Sequence, residues 1–207
     1  YSLSPYSPEE IVARDYLLEG GPDAVINLVD ATNLERNLYL TSQILNLGVP
    51  VVIALNMMDL VEKNGDKIDV DGLSRELGCP IVPTSALKGR GMEDVVKAAI
   101  DAARSKKTPA SQMKFDAAVE EALVKIEGVL GDKVASNAAR WYAIKLFEAE
   151  DKTIADLKLS QADLDAISAI RTSIEDKLDD DAESIITAER YDAISHVVDK
   201  TVKRTRT

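Results

Sequence analysis

Residues Val49–Leu55, VPVVIAL, are apolar throughout and rich in β-branched side chains. Branched side chains favour a pleated backbone, and a run without polar alternation leaves no face for water. Such a strand needs cover on both sides, which a parallel sheet layered with helices provides. The neighbouring sequence supplies further parts. Ala24–Val29 (AVINLV) reads as a mostly apolar strand ending in Asp30, and Pro80–Pro83 (PIVP) as a short third strand. Ser7, Pro8 and Glu10 form the start of a helix as N-cap, N1 and N3, and that helix stops at Gly20-Gly21. Asn33 is placed to cap LERNLYLTSQILNLG, and Gly78 closes a short helix over Val70–Leu77. Gly91 opens the helix MEDVVKAAIDAARS. Alternating helices and strands imply right-handed crossovers and an α/β fold.

At Lys106–Gln112 (KKTPASQ) that alternation ends, which sets a domain boundary between residues 1–108 and 109–207. The later part reads as about four helices. Phe115, Ala118, Val119, Ala122, Ile126 and Leu130 repeat at helical spacing. Asn137–Phe147 forms a second helix, Ser160 caps a third, and a fourth starts near Asp181.

Charge narrows the partners. With 25 basic and 36 acidic residues the chain carries a net charge of -11, a poor match for nucleic acid. Only the end is basic, where Lys200, Lys203, Arg204 and Arg206 crowd together without an acid. A single cysteine, Cys79, excludes an internal disulfide and fits a reducing compartment. No apolar run is long enough to span a membrane, and YSLSPYSPEE lacks the basic start and apolar stretch of a signal peptide. The absence of methionine at residue 1 reads as something other than a natural start.

Ligands of open parallel sheets sit at the carboxyl ends of the strands. Three such ends carry polar residues here: Asp30, then Asn56 with Asp59, then Ser85. Guanine presents N1–H and its N2 amino group side by side, and one carboxylate accepts from both. Adenine offers a lone pair at N1 instead. Asp59 therefore suits guanine selection. Asn56 has groups to hold the loop or touch the base edge, Met57 packs nearby, and a backbone N–H of Ser85-Ala86-Leu87, that of Ala86, suits guanine O6. Asn-x-x-Asp alone is also a common turn that needs no ligand. Its place after a buried strand, with a Ser-Ala-x-x-Gly segment after the next, favours the base site.

The paired motifs NMMD and TSALKGRG resemble the fourth and fifth guanine-nucleotide motifs of the Ras-like GTPases. More narrowly, YSLSPYSPEEIVARDYL, LVDATNLERNLYLTSQILNLG, ARWYAIKLFEAED and AESIITAERYDAI resemble the cytosolic GTPase part of FeoB, the bacterial ferrous-iron transporter. The likeness spans nearly the whole chain. It implies a Ras-like G domain followed by an all-α helical domain that favours the GDP-bound state. It also implies GTP and GDP as ligands, GTP hydrolysis coupled to a membrane iron channel, and a place at the cytoplasmic face of the inner membrane. The membrane-spanning part of the same transporter would be a partner, and a homo-oligomer is compatible with the resemblance.

One departure stands out. None of the ten glycines precedes a lysine, so the phosphate loop Gly-x-x-x-x-Gly-Lys-Ser/Thr is not in these residues. In the family that loop and the Asp-x-Pro-Gly motif come before the segment that opens this sequence. The resemblance thus places phosphate, Mg2+ and K+ ligands outside residues 1–207 and no catalytic residue within them. It places Tyr1, Ser2 and Tyr6 at the distal part of the second switch. A half-domain lacking its first strand is expected to leave an apolar edge unpaired. The alternative reading is a non-hydrolysing binding module with only a base-recognition half-site. An Era-like ribosome-assembly GTPase is a third possibility, and the acidic charge argues against it.

The remaining candidates have structural readings. His196, the only histidine, sits on a helix without metal-ligating company. Cys79 reads as buried and inert, Trp141 and Tyr142 as packing residues, and Asp179-Asp180-Asp181 with Glu183 as a helix start. The basic tail fits either a solvated helix end or an anionic lipid surface.

Overall fold

The computed structural model describes residues 8–19, 21–111 and 113–205. The apolar run forms strand β2 (Val51–Asn56), with Val51–Leu55 all buried. On one side β2 pairs in parallel with β1 (Val25–Asp30), in a register that sets Asp30 beside Asn56. On the other it pairs in parallel with β4 (Ile81–Pro83), with Leu55 opposite Pro83. The order is β1-β2-β4, so all three polar strand ends noted in the sequence lie at one end of the sheet. β1 occupies the outer position. Its Asn27 and Val29 are buried while Ile26 and Leu28 are 47% and 60% exposed.

Helices α1 (Pro8–Leu18), α2 (Leu34–Ile44), α4 (Val70–Leu77) and α5 (Met92–Ser105) accompany the strands. Pro8 is the first helical residue, as expected from its fixed φ and missing N–H. The expected cap at Ser7, the switch residues Tyr1, Ser2 and Tyr6, and Gly20 lie outside the described residues. Before α2 the capping differs from expectation. Asn33 makes no side-chain cap bond. Asp30 takes the role one turn earlier, accepting from Thr32 N at 2.8 Å and Thr32 Oγ1 at 2.6 Å to start a short 3-10 turn. Asp69 Oδ1 caps α4 by accepting from Gly72 N at 3.0 Å. Gly78 ends it with φ 70, and a Cβ there would collide with the Ala110 backbone. Only glycine satisfies both demands.

Two further elements lie between β2 and α4. Helix α3 (Met58–Lys63) starts directly after β2, and β3 (Lys67–Ile68) follows it. β3 pairs antiparallel with β5 (Val202–Lys203) at the far end of the chain. This pairing changes how contacts divide the molecule. One unit comprises residues 1–113 together with 193–207, and the other residues 114–192. The sequence pattern alone puts 109–207 in a single domain.

The second unit contains α6 (Ala117–Leu130), α7 (Ala139–Phe147), α8 (Asp151–Leu157), α9 (Gln161–Leu178) and the start of α10 (Ala182–Thr201). Val119, Leu123, Ile126, Ile144, Phe147 and Ile167 lie at its centre. Ser160 caps α9 through Asp163 N at 3.2 Å, as read from sequence. Arg171 reaches from α9 to the exposed carbonyls that end α7, donating to Phe147 O at 2.8 Å and Leu146 O at 2.6 Å. Lys145 is buried between Glu148 and Glu150, each 3.4 Å away, with its ammonium 5.0 Å from the Trp141 ring centroid. Asp181 caps α10 by accepting from Ser184 N and Oγ at 2.9 Å, which explains the acidic triplet as a helix start.

Candidate functional site

The strand-end residues meet through one side-chain oxygen. Asn56 Oδ1 accepts from Ala86 N at 2.9 Å and from Thr84 Oγ1 at 3.2 Å. Two main-chain bonds run alongside: Thr84 N donates to Leu55 O at 2.8 Å, and Met58 N donates to Thr84 O at 3.2 Å. The loop after β2 and the loop after β4 are therefore one hydrogen-bonded unit. Asn56 Nδ2 has no partner among the described residues, so the same side chain holds the loop with its oxygen and keeps an amide donor for a ligand.

Met57 turns the chain between strand and helix. It adopts φ 65 and ψ 28, the left-handed region, which costs an L-residue about 1–2 kcal/mol. The turn places Asp59 in the first turn of α3, where a carboxylate suits the positive end of the helix. Asp59 retains 14% side-chain exposure and lies 3.6 Å from Lys88 Nζ. Partial burial opposes its charge, but the Ser85 hydroxyl, Lys88 and nearby backbone N–H groups outweigh this and lower its pKa below the usual carboxylate range. No Ser85–Asp59 hydrogen bond of good length and angle is formed, and Ser85 Oγ is buried without a partner among the described residues, so its influence is that of a nearby dipole. Asp59 thus stands ionised near neutral pH, as an acceptor for paired N–H groups must.

The second loop is compact. Ser85 bridges Arg90 across it, with Ser85 N donating to Arg90 O at 3.1 Å and Arg90 N to Ser85 O at 3.0 Å. Ala86 and Leu87 lie at its exposed tip, and Leu87 is 92% exposed. Of the six sequence-selected residues, Asn56, Met57, Asp59, Ser85, Ala86 and Leu87, all belong to these two joined loops. The Ala86 N–H is already engaged by Asn56, so a base carbonyl would have to compete with that oxygen or share the donor.

Sequence reading missed a hollow of about 480 Å³ beside Asn56 and Met57. Asn27, Asp30, Asn33, Arg36 and Asn37 contribute its polar lining. Arg36 is the one cation among its described lining residues, which is little for a polyphosphate. Among the described residues no group of three or more His, Cys, Asp or Glu side chains converges as a metal ion would require. The described residues of this chain therefore do not fit a Mg2+ centre of their own. His196 is exposed on α10, and Cys79 is buried, with burial pushing its thiol up to about 12. No helix among the described residues is long and apolar enough to cross a membrane.

Comparison with known proteins gives a consistent set. The family model "Ferrous iron transport protein B" matches residues 1–99, and "FeoB cytosolic helical domain" matches residues 115–203. The Porphyromonas gingivalis Fe(2+) transport protein A/Fe(2+) transporter FeoB fusion protein is 38% identical over 98% of this chain and 25% of its own length. The Escherichia coli Fe(2+) transporter FeoB is 36% identical over 96% of this chain and 26% of its own length. The chain thus spans about a quarter of the curated relatives it matches. Among solved structures, a GDP-bound point mutant of NFeoB from S. thermophilus superposes with a TM-score of 0.94 at 48% identity. That match covers 98% of this chain and 78% of the other. NFeoB from the same organism bound to mGMPPNP gives 0.90 at 48% identity, covering 100% and 78%.

Proposed function

This chain belongs to the family of ferrous iron transport protein B, and from that premise we propose that it is the guanine-reading and helical portion of a GTPase region serving ferrous iron transport. The observation that carries the reading is the joining of the two strand-end loops through Asn56, with an ionised Asp59 at their margin. Asp59 accepts from N1–H and N2 of guanine, Asn56 holds the frame and offers Nδ2, and Ser85–Leu87 cover the base. Related NFeoB structures holding GDP and mGMPPNP support guanine nucleotides as the ligand class.

Hydrolysis belongs to the longer protein. Phosphate cradling, Mg2+ and K+ binding and water activation are assigned to family segments beyond these 207 residues, which leaves the reading and holding of the base to this chain. The remaining roles proposed are coupling of nucleotide state to a membrane-spanning part of the same transporter, residence at the cytoplasmic face of the cell membrane, and self-association. A non-hydrolysing binding module is the second reading, favoured by the scarcity of cations in the hollow beside Asn56. Phosphate release from GTP by the full-length protein separates the two.

The base assignment is tested by titrating GDP, ADP and XDP against the full-length protein and its Asp59→Asn variant. The expected result is a loss of GDP affinity of about tenfold or more, the scale of a charged hydrogen bond, with a gain for XDP. Xanthine replaces the N2 donor by an acceptor, which an asparagine amide can meet. Unchanged guanine preference in the variant would overturn the assignment.

A further inference from the structure

Residues 201–205 close on the short helix that carries Asp59. Helix α3 spans only Met58–Lys63, so whatever fixes its far end also fixes its first turn. At that far end, Asn64 N donates to Leu60 O at 3.0 Å and Asp66 N to Val61 O at 3.1 Å, with Gly65 between them. Thr205 grips this exit. Its N–H donates to Asp66 Oδ1 at 2.9 Å and its Oγ1 donates to Gly65 O at 2.7 Å. Gly65 has φ 78, and a Cβ on it would lie 2.8 Å from Thr205 Oγ1, so glycine permits both the turn and the approach.

The next residues continue the contact. β3 and β5 pair with Lys67 opposite Lys203 and Ile68 opposite Val202. Asp69 N donates to Thr201 O at 2.7 Å, so the residue that caps α4 is bound to the last residue of α10. Lys67 and Lys203 repel across the ribbon, which makes this pairing weaker than its hydrogen bonds alone would suggest. A weak, specific closure of this kind is suited to opening and closing within the folded protein.

We propose that Thr201, Val202, Lys203 and Thr205 form a clasp that positions Asp59, with Asp66 and Thr205 as positioning residues for guanine binding. The clasp holds α3 at its C-terminal end, while the Met58 N–Thr84 O bond holds it at the other. Opening the clasp frees α3 to tilt away from the loop over the base, and guanine affinity falls. By linkage, bound guanine nucleotide closes the clasp by the same factor. Movement of α10, whose last turns lead into β5, is thereby felt at the base-reading carboxylate. The inference rests on Asp59 reading guanine.

The test uses the full-length protein with Asp66→Ala, Thr205→Val, Arg204→Gln and Asp59→Asn variants. A fluorescent GDP derivative reports dissociation rate, and amide exchange at Thr205 and Val202 reports the clasp. Asp66→Ala and Thr205→Val are each expected to speed GDP release about fivefold, the factor carried by one hydrogen bond, while guanine preference is retained. GDP is expected to slow exchange at Thr205. Arg204 pairs with Glu35 on α2 at 2.8 Å rather than with the α3 exit, so Arg204→Gln should leave release unchanged. Unaltered release in both clasp variants, or equal acceleration in Arg204→Gln, overturns the proposal even if Asp59→Asn still abolishes guanine preference. Absence of GDP binding, or intact preference in Asp59→Asn, overturns the base reading itself and the clasp with it.

Discussion

At the sheet end, two loops are joined by directed hydrogen bonds, through Asn56 Oδ1 and the Thr84 main chain, and the tip at Ala86 and Leu87 is exposed. In the helical unit, Phe147, Ile144, Leu123 and Ile126 are wholly buried, and even the ammonium of Lys145 is enclosed by carboxylates and an indole. The first region is specified by hydrogen bonds of fixed direction and can adjust without exposing a core. The second is specified by packed volume, where any adjustment opens a void. A site that reads ligand atoms by hydrogen bonds needs direction, which the first region can supply.

Substitutions in the two regions should separate these modes. The largest effect is expected from Phe147→Ala, about 3–5 kcal/mol of helical-unit stability. Trp141 is the only tryptophan and lies buried in that unit, so its fluorescence follows denaturant unfolding there. Asn56→Ala should cost less, about 1–3 kcal/mol, by leaving the Ala86 N–H and Thr84 hydroxyl without their acceptor. GDP affinity should drop while the Trp141 transition stays in place. A shift of that transition as large as in Phe147→Ala would break the contrast.

The smallest effect is expected from pH within the helical unit. Glu120 is partly buried, which raises its pKa, but the Arg140 guanidinium, bonded to it at 2.7 and 2.8 Å, and the Phe115 N–H prevail, and its pKa falls below the ordinary 4.5. Glu148 moves the other way: burial prevails over Lys145 and Arg190, and its pKa rises above 4.5. The signs differ accordingly. The Glu120 contribution is present above about pH 4.5 and is lost as pH falls through its lowered folded value. Glu148 favours the folded state when protonated, so its stabilisation is lost as pH rises from 4.5 through its raised folded value. Glu148→Gln should therefore flatten the fall in stability on the higher-pH side, and Glu120→Gln the fall on the acid side, both read from Trp141 unfolding curves. Identical pH profiles for the two variants would contradict these assignments.

Much of the architecture was legible because it depends on local patterns. The unbroken apolar run marked β2, Gly78 marked the end of α4, and Ser160 marked the start of α9. That Asp30, Asn56 and Ser85 lie together was legible because strand ends of a parallel sheet share one side. What escaped depends on distant or marginal events. A two-residue strand such as β3 has no periodicity to read, and its partner lies at the other end of the chain. Helix α3 was hidden because Met57 must first enter a left-handed conformation that methionine does not announce. Asn33 looked like a cap by type, yet Asp30 captured the free amides first because it sits at the end of a strand whose direction is already set. The hollow beside Asn56 was invisible because its lining comes from β1, α2 and β2 together.

The lone cysteine offers a last consequence. Cys79 lies just before β4 and is itself buried, its carbonyl accepting from Ser74 Oγ at 2.6 Å and its thiol held protonated by burial. Since the thiolate is the reactive form, alkylation in the native protein must wait for a local opening that exposes the thiol. The chain therefore carries its own stopwatch: the rate at which a small alkylating reagent adds to Cys79 counts the openings around it, with no residue substituted to report them.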